Sequence, residues 1–237
     1  MLGWGVALPH DHPTPERPFR LYVALTNHCN RACPWCSTCS SPRGSTFLAP
    51  EALLPHLPVD GPFELQLEGG EPTVAPRFWE FVAIARQHPR CTRLVLCTNG
   101  VALPRQPERL RGCLERLGAP TIVKLSINHH LLDEDPGLLD LARLLHASLL
   151  DGQQLILNLR RRRGVADDDR AVRDAVEAAG LLPLANDFFL QRYGFAADEQ
   201  GWAEPFVVAD RFAMINPDGA RFGPELIARS EGMRVLP

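Results

Sequence analysis

The stretch Leu21-Tyr22-Val23-Ala24-Leu25-Thr26-Asn27-His28-Cys29-Asn30-Arg31-Ala32-Cys33-Pro34-Trp35-Cys36 decides the reading of this chain. Its first six residues, Leu21–Thr26, form a short apolar run of the kind that makes a buried strand. The residues after it lose that pattern and bring three cysteines at Cys-x3-Cys-x2-Cys spacing. Soft sulfurs on one short loop can fold around one metal centre without strain. Structural zinc sites usually draw on two separated ligand pairs, and no second pair with that spacing occurs. Three cysteines make an incomplete iron–sulfur site, whose unfilled iron position leaves room for chemistry.

Moving outward from that loop, short β-rich runs alternate with helical ones, the rhythm of βα units around a parallel sheet. Strands are expected at Leu21–Thr26, Phe63–Glu68, Arg93–Cys97, Thr121–Ile127, Gln153–Leu159 and roughly Leu184–Gln191. Helices are expected near Pro50–His56, Pro76–Gln87, Pro107–Leu117, Pro136–Leu150 and Asp168–Ala179. The leucines of Pro136–Leu150 form one broad stripe suited to packing on a sheet. Residues 1–18, with Pro9, Pro13, Pro15 and Pro18, read as an extended arm. Residues 19–195 hold about six βα units, and residues 196–237 form a C-terminal extension. A full eightfold barrel usually needs about 250 residues. The expectation is therefore an α/β fold, a partial (β/α)6-type TIM barrel. A β-hairpin over Phe206–Ala220, turning at Asn216-Pro217-Asp218-Gly219, would follow it.

Composition sets outer limits. The chain has 237 residues, 45% hydrophobic and 22% charged, which excludes a disordered chain, a collagen and a small disulfide knot. A net charge of −3 gives no basic field to attract nucleic acid. No apolar run approaches the length of a membrane span, and Met1–Arg20 lacks a secretion signal, so a cytoplasmic location is expected. The odd count of seven cysteines argues against a disulfide framework. Cys91, Cys97 and Cys113 read as core side chains. The run Arg160–Arg163 reads as a solvated strand end, and His129 and His130 as an exposed loop pair.

Two further loops agree with the first. The second strand runs into Glu68-Gly69-Gly70-Glu71-Pro72-Thr73, where the glycines permit a sharp turn and close approach to a ligand. The third strand ends in Cys97-Thr98-Asn99-Gly100. With Cys29–Cys36, these motifs resemble, in order and place, the radical S-adenosylmethionine (radical SAM) enzymes. The resemblance covers roughly residues 19–195 and is strongest before residue 100. It implies a [4Fe–4S] cluster on Cys29, Cys33 and Cys36, with S-adenosylmethionine (SAM) on the fourth iron. Reductive cleavage of SAM would give a 5′-deoxyadenosyl radical that abstracts hydrogen from a polar small molecule or peptide. It also implies an electron donor such as flavodoxin or ferredoxin. Trp35, Gly69, Gly70 and Glu71 match family positions that contact SAM. The extension's hairpin is similar to that of peptide-modifying members, but no cysteine follows Cys113 to hold an auxiliary cluster.

Strand alternation adds to this. It puts Lys124, Ser126 and Asn128 on one face, Glu64, Gln66 and Glu68 on another strand's matching face, and Gln154, Asn158 and Arg160 on a third. The apolar faces belong under the helices, so these polar ones point inward, and buried polar groups need partners. Ser126, Asn128 and Asn158 are expected near SAM by position. Lys124, the chain's single lysine, is expected to make an internal ion pair with Glu64, Glu68 or Glu71, or to meet a carboxylate of SAM or substrate. Arg160 is a candidate for an anionic substrate, and Gln191 and Tyr193 for closing the cavity. Two rivals stay open. One is an activating enzyme acting on a partner protein. The other is a non-catalytic four-cysteine iron–sulfur or zinc protein using Cys39.

Overall fold

A computed structural model of the protein describes residues 18–162, 166–197, 211–223 and 226–234. The arm expected over 1–18, apart from its last residue, and the part of the hairpin before residue 211 lie outside the described residues.

Six parallel strands, β1 (Phe19–Ala24), β2 (Phe63–Glu68), β3 (Cys91–Thr98), β4 (Thr121–Ile127), β5 (Gln153–Arg161) and β6 (Ala185–Phe189), lie side by side in chain order. This is the expected partial barrel, an α/β fold. β2 and β4 have the expected limits, and the other strands shift by a few residues at their ends. The helices on the outer face are α1 (Pro50–Leu53), α2 (Phe78–Gln87), α3 (Pro107–Leu117), α5 (Leu138–Ser148) and α6 (Ala166–Ala178). A further short helix, α4 (His129–Glu134), replaces the loop expected after β4. Asn128 starts it: its side-chain oxygen accepts from the Leu131 amide at 2.9 Å, a capping bond that apolar neighbours downstream concealed in the sequence.

The hairpin occupies an unexpected position. β7 (Phe212–Ile215) and β8 (Arg221–Phe222) pair antiparallel around the expected Asn216–Gly219 turn, but β7 also pairs parallel with β1. It extends the barrel sheet past β1, giving eight strands in the order β6-β5-β4-β3-β2-β1-β7-β8. A last helix, α7 (Leu226–Gly232), follows.

The core has two parts. The large one lies between the outer sheet face and the helices, built from Leu21, Val23, Leu65, Leu67, Leu94, Leu96, Val123, Leu125, Leu155 and Leu157 against leucines of α3 and α5. A small separate cluster, Val95, Ile122 and Ile156, floors the inner face. Above and beside it the inner face is polar, as alternation requires. Gln154 is the exception to burial there: it is exposed, since it stands at the open lower rim.

At the base of that face, Arg20 is fully buried and donates from Nε and Nη2 to Glu64 at 2.8 and 2.6 Å. Arg93 reaches the other Glu64 oxygen at 3.1 Å. Removing one partner strands a buried charge, whereas removing both does not. Arg20→Leu is expected to cost about 3 kcal/mol in urea unfolding, and adding Glu64→Leu to recover most of it. A single variant as stable as the wild type would contradict this account of the barrel base.

Candidate metal and cofactor site

The cysteine loop leaves β1 and is fastened before it reaches its sulfurs. The Thr26 hydroxyl donates to the Thr46 carbonyl, and the His28 amide to the Thr26 hydroxyl, both at 2.8 Å. Two bridges, Thr26 with Phe47 and His28 with Ser41, lay residues 41–48 alongside the loop. The Gly-Gly turn presses on it from β2. The Gly70 amide donates to the Thr26 carbonyl at 2.6 Å and the Glu71 amide to the His28 carbonyl at 2.9 Å. A Cβ on Gly70 would lie 1.9 Å from the His28 carbonyl oxygen, so only glycine fits.

A third clamp was not legible in the sequence. The Phe195 amide donates to the Cys36 carbonyl at 2.9 Å, and Gly194 stands beside it with φ +68°. A Cβ there would meet the Cys36 oxygen at 2.3 Å. Gly194 follows an ordinary strand run and belongs to no motif, so nothing local marks it. Gln191 and Tyr193 lie in the segment between β6 and this clamp, half-buried, which carries them toward the cysteine loop.

Cys29 is buried and Cys33 and Cys36 are half-buried. Burial pushes the Cys29 thiol up to about 12, and the adjoining Cys36 adds to the rise. Cys33 is raised by the same two causes in the same order, and the nearby Arg160 cation opposes them. The thiols therefore share one electrostatic environment. Cys29 and Cys33 therefore keep their protons until a cation displaces them. Among the described residues, no three His, Cys, Asp or Glu side chains are grouped to hold a single metal ion. A cluster with one thiolate per iron does not require such a group, and three cysteine sulfurs on a loop clamped from three sides fit it. Cys39 is fully buried with φ +49°, and its amide donates to the Cys36 carbonyl at 3.3 Å.

Glu71 belongs to the turn expected to contact SAM. It is fully buried, and its carboxylate accepts from the Thr73 hydroxyl and amide, from the Thr98 hydroxyl at 2.7 Å and from the Asn99 amide at 2.7 Å. Its work in the structure is to join the β2 and β3 loops. Trp35 is largely enclosed. Its ring packs with Leu190 and Ala196, meets His129 at 4.9 Å and lies 4.7 Å from the Arg162 guanidinium. His129 and His130 are thus not an exposed loop pair: they open α4, and both rings approach Trp35.

The arginine run is likewise no solvated strand end. Arg160 donates to the Ser37 hydroxyl at 3.0 Å, Arg161 pairs with Asp187, and Arg162 is buried against Asp168 and Asp169, each at 3.1 Å. Arg163 lies outside the described residues.

Inside the barrel, Lys124 is buried on the inner face. It donates to the Gln66 carbonyl at 3.3 Å, and Gln66 donates to Glu68 at 2.6 Å. Arg229 of α7 closes the chain on Glu68 at 2.6 Å. Ser126 stands beside Asn158 across the sheet, and Asn158 accepts from Asn186 at 3.2 Å. Cys97, read as core, pairs in register with Lys124 and is half-buried on the inner face, whereas Cys91 and Cys113 pack on the outer core as expected. Asn128 keeps its place above Ser126 but spends its oxygen on capping α4.

Comparison with known proteins agrees with this geometry. No protein-family model matches the chain. A stretch of 91 residues, 37% of the chain, is 32% identical to GTP 3′,8-cyclase of Chlorobaculum tepidum. The stretch covers 28% of that protein, so the chain spans under a third of its curated relative's length. Among solved structures, anSMEcpe with bound AdoMet and the Kp18Cys peptide superposes with a TM-score of 0.56 at 16% identity, over 79% of this chain and 56% of that one. Streptococcus suis SuiB bound to precursor peptide SuiA gives 0.55 at 10% identity, over 90% and 60%. All three are radical SAM enzymes. The chain shares its fold with these two solved structures. None of the helices among the described residues is long and apolar enough to cross a membrane.

The packing around Trp35 carries a pH dependence. Burial, and then the Arg162 cation, hold His129 below its ordinary 6.5. A histidine depressed on folding contributes stability that is present above about 6.5 and lost as pH falls through its folded value. The melting temperature is expected to fall on acidification below pH 6.5, and to fall less in His129→Gln. Parallel profiles for the two proteins would contradict the assignment.

Proposed function

We propose that the chain is a radical SAM enzyme whose single [4Fe–4S] cluster is held by Cys29, Cys33 and Cys36. The observation that carries this is the joint placement of three thiols, one buried and two half-buried, on a loop clamped from three sides at the head of a polar barrel face. When bound, the cluster supplies the electron that splits SAM into methionine and a 5′-deoxyadenosyl radical.

The chain's own residues have separable tasks. Gly69 and Gly70 let backbone approach the loop closely, and Glu71 holds that turn against β3. Trp35, fixed between His129 and Arg162, gives the loop a rigid wall beside Cys36. Ser126 and Asn158 offer hydrogen bonds to SAM from neighbouring positions on β4 and β5, with Asn128 above them at the start of α4. Lys124 and Arg160 give the inner face two cations at different depths, suited to a substrate with acidic or strongly polar groups. Gln191 and Tyr193 border the same space from the segment after β6. The Val95–Ile122–Ile156 floor keeps the base of the face dry, which protects a reactive intermediate from water.

The substrate on this reading is a polar small molecule or a short peptide. The peptide option draws support from the peptide-bound structures that share the fold. A flavodoxin- or ferredoxin-type protein would deliver the electron.

Anaerobic reconstitution with iron and sulfide, reduction with dithionite and addition of SAM is expected to release 5′-deoxyadenosine. Alanine at Cys29, Cys33 or Cys36 should abolish release, and Cys39→Ala should retain it. Full release from any of the first three variants would sink the ligand assignment. Loss of iron in Cys39→Ala, with no response of the centre to SAM, would establish the four-cysteine protein in its place.

A further inference from the structure

We infer that Asn99 is a positioning residue that sets the reduction potential of the cluster through the Cys29 sulfur; the inference rests on the cluster reading above. The Asn99 side chain is largely buried at the end of β3, and its Nδ2 lies 3.6 Å from Cys29 Sγ and 2.7 Å from Asn30 Oδ1. A side-chain amide has two N–H groups, and these two partners use both. Its Oδ1 accepts from the Val101 amide at 3.0 Å. Its own backbone amide is held by Glu71 at 2.7 Å. Side chain and backbone are therefore fixed together, and the donor is aimed at the sulfur before any metal arrives.

The three sulfurs are not served alike. Cys36 receives its contacts from its own loop: the Thr38 hydroxyl at 3.3 Å and the Ser40 amide at 3.5 Å. Cys33 has the Arg160 cation in its surroundings. Cys29 has a neutral donor from another strand, so its contact reports the position of the barrel rather than of the loop. A hydrogen bond to a cysteine ligand withdraws negative charge from it and favours the reduced, more negative cluster. The effect is larger in a poorly solvated setting, and Cys29 is 8% exposed.

The test is a redox titration of the full chain, reconstituted anaerobically and followed by EPR without SAM. Asn99→Ala is expected to shift the reduction equilibrium about tenfold toward the oxidised cluster, which is about 59 mV for one electron. Asn99→Asp preserves the acceptor for Val101 and is nearly isosteric, so it guards against a folding artefact. It should lower the potential further, because a carboxylate replaces the donor. Asn30→Ala removes the second partner only and should move the potential by less than half as much. An unchanged potential in a fully iron-loaded Asn99→Asp protein would overturn the inference. So would a loss of iron content with no shift in the fraction that stays loaded, which is the mark of a merely structural role. Iron count and the visible spectrum of the wild type are read first. If no four-iron cluster assembles there, the ligand reading itself has failed and this inference falls with it.

Discussion

The carboxylate of Glu71 is the point through which the site is assembled. It is fully buried between two loops and accepts from Thr73, Thr98 and the Asn99 amide. Burial raises its proton affinity, and these hydrogen bonds offset that cost. Such a group is expensive to leave unsatisfied, so the loops that satisfy it are held in one arrangement. Through its amide, Glu71 also ties the Gly-Gly turn to His28, just before the first thiol. The ends of β1, β2 and β3 are thereby referred to one another. Conformational precision at the cysteine loop depends on that reference, because the loop itself has little regular structure.

A second constraint acts from the far edge of the barrel. The Gly194–Phe195 clamp on the Cys36 carbonyl ties the segment after β6 to a loop that follows β1. Arg162, after β5, adds a cation beside Trp35, and Arg160 reaches Ser37. The loop is thus gripped both from β2, beside its own strand, and from the segments after β5 and β6 at the edge of the sheet. An open sheet gains by such contacts a closure that its strand order does not supply. The added strand β7 and helix α7 serve the other side: Arg229 reaches Glu68 on the inner face, so the extension is part of the barrel wall.

The inner face shows how polarity is accommodated in a barrel of this size. A dry aliphatic floor sits beside a relay from Lys124 through Gln66 to Glu68 and Arg229. Hydrogen bonding to Gln66 offsets part of the cost of burying the Lys124 ammonium. Deeper still, Glu64 is neutralised from two sides by Arg20 and Arg93. Arg160, which reaches Ser37 of the cysteine loop, is only half-buried.

Much of this was written in the local sequence. Period-two alternation fixed which side chains of β2, β4 and β5 face inward, since a one-residue change would have buried charge beneath the helices. The cysteine spacing, the Gly-Gly turn and the Asn216–Gly219 turn depend on neighbours in the chain, and so could be read from it. What tertiary structure decided are the uses of side chains whose partners lie far away along the chain. Glu71 was assigned by motif to a ligand, but its distance to Thr98 and Asn99 follows from the pairing of β2 with β3. Trp35 was open until α4 and Arg162 closed over it, and the arginine run was a surface until the aspartates of α6 and Asp187 met it. The placement of β7 beside β1 and of Gly194 against Cys36 required the sheet to exist first. Periodicity and spacing describe what a segment presents; only the packed sheet determines what each segment meets.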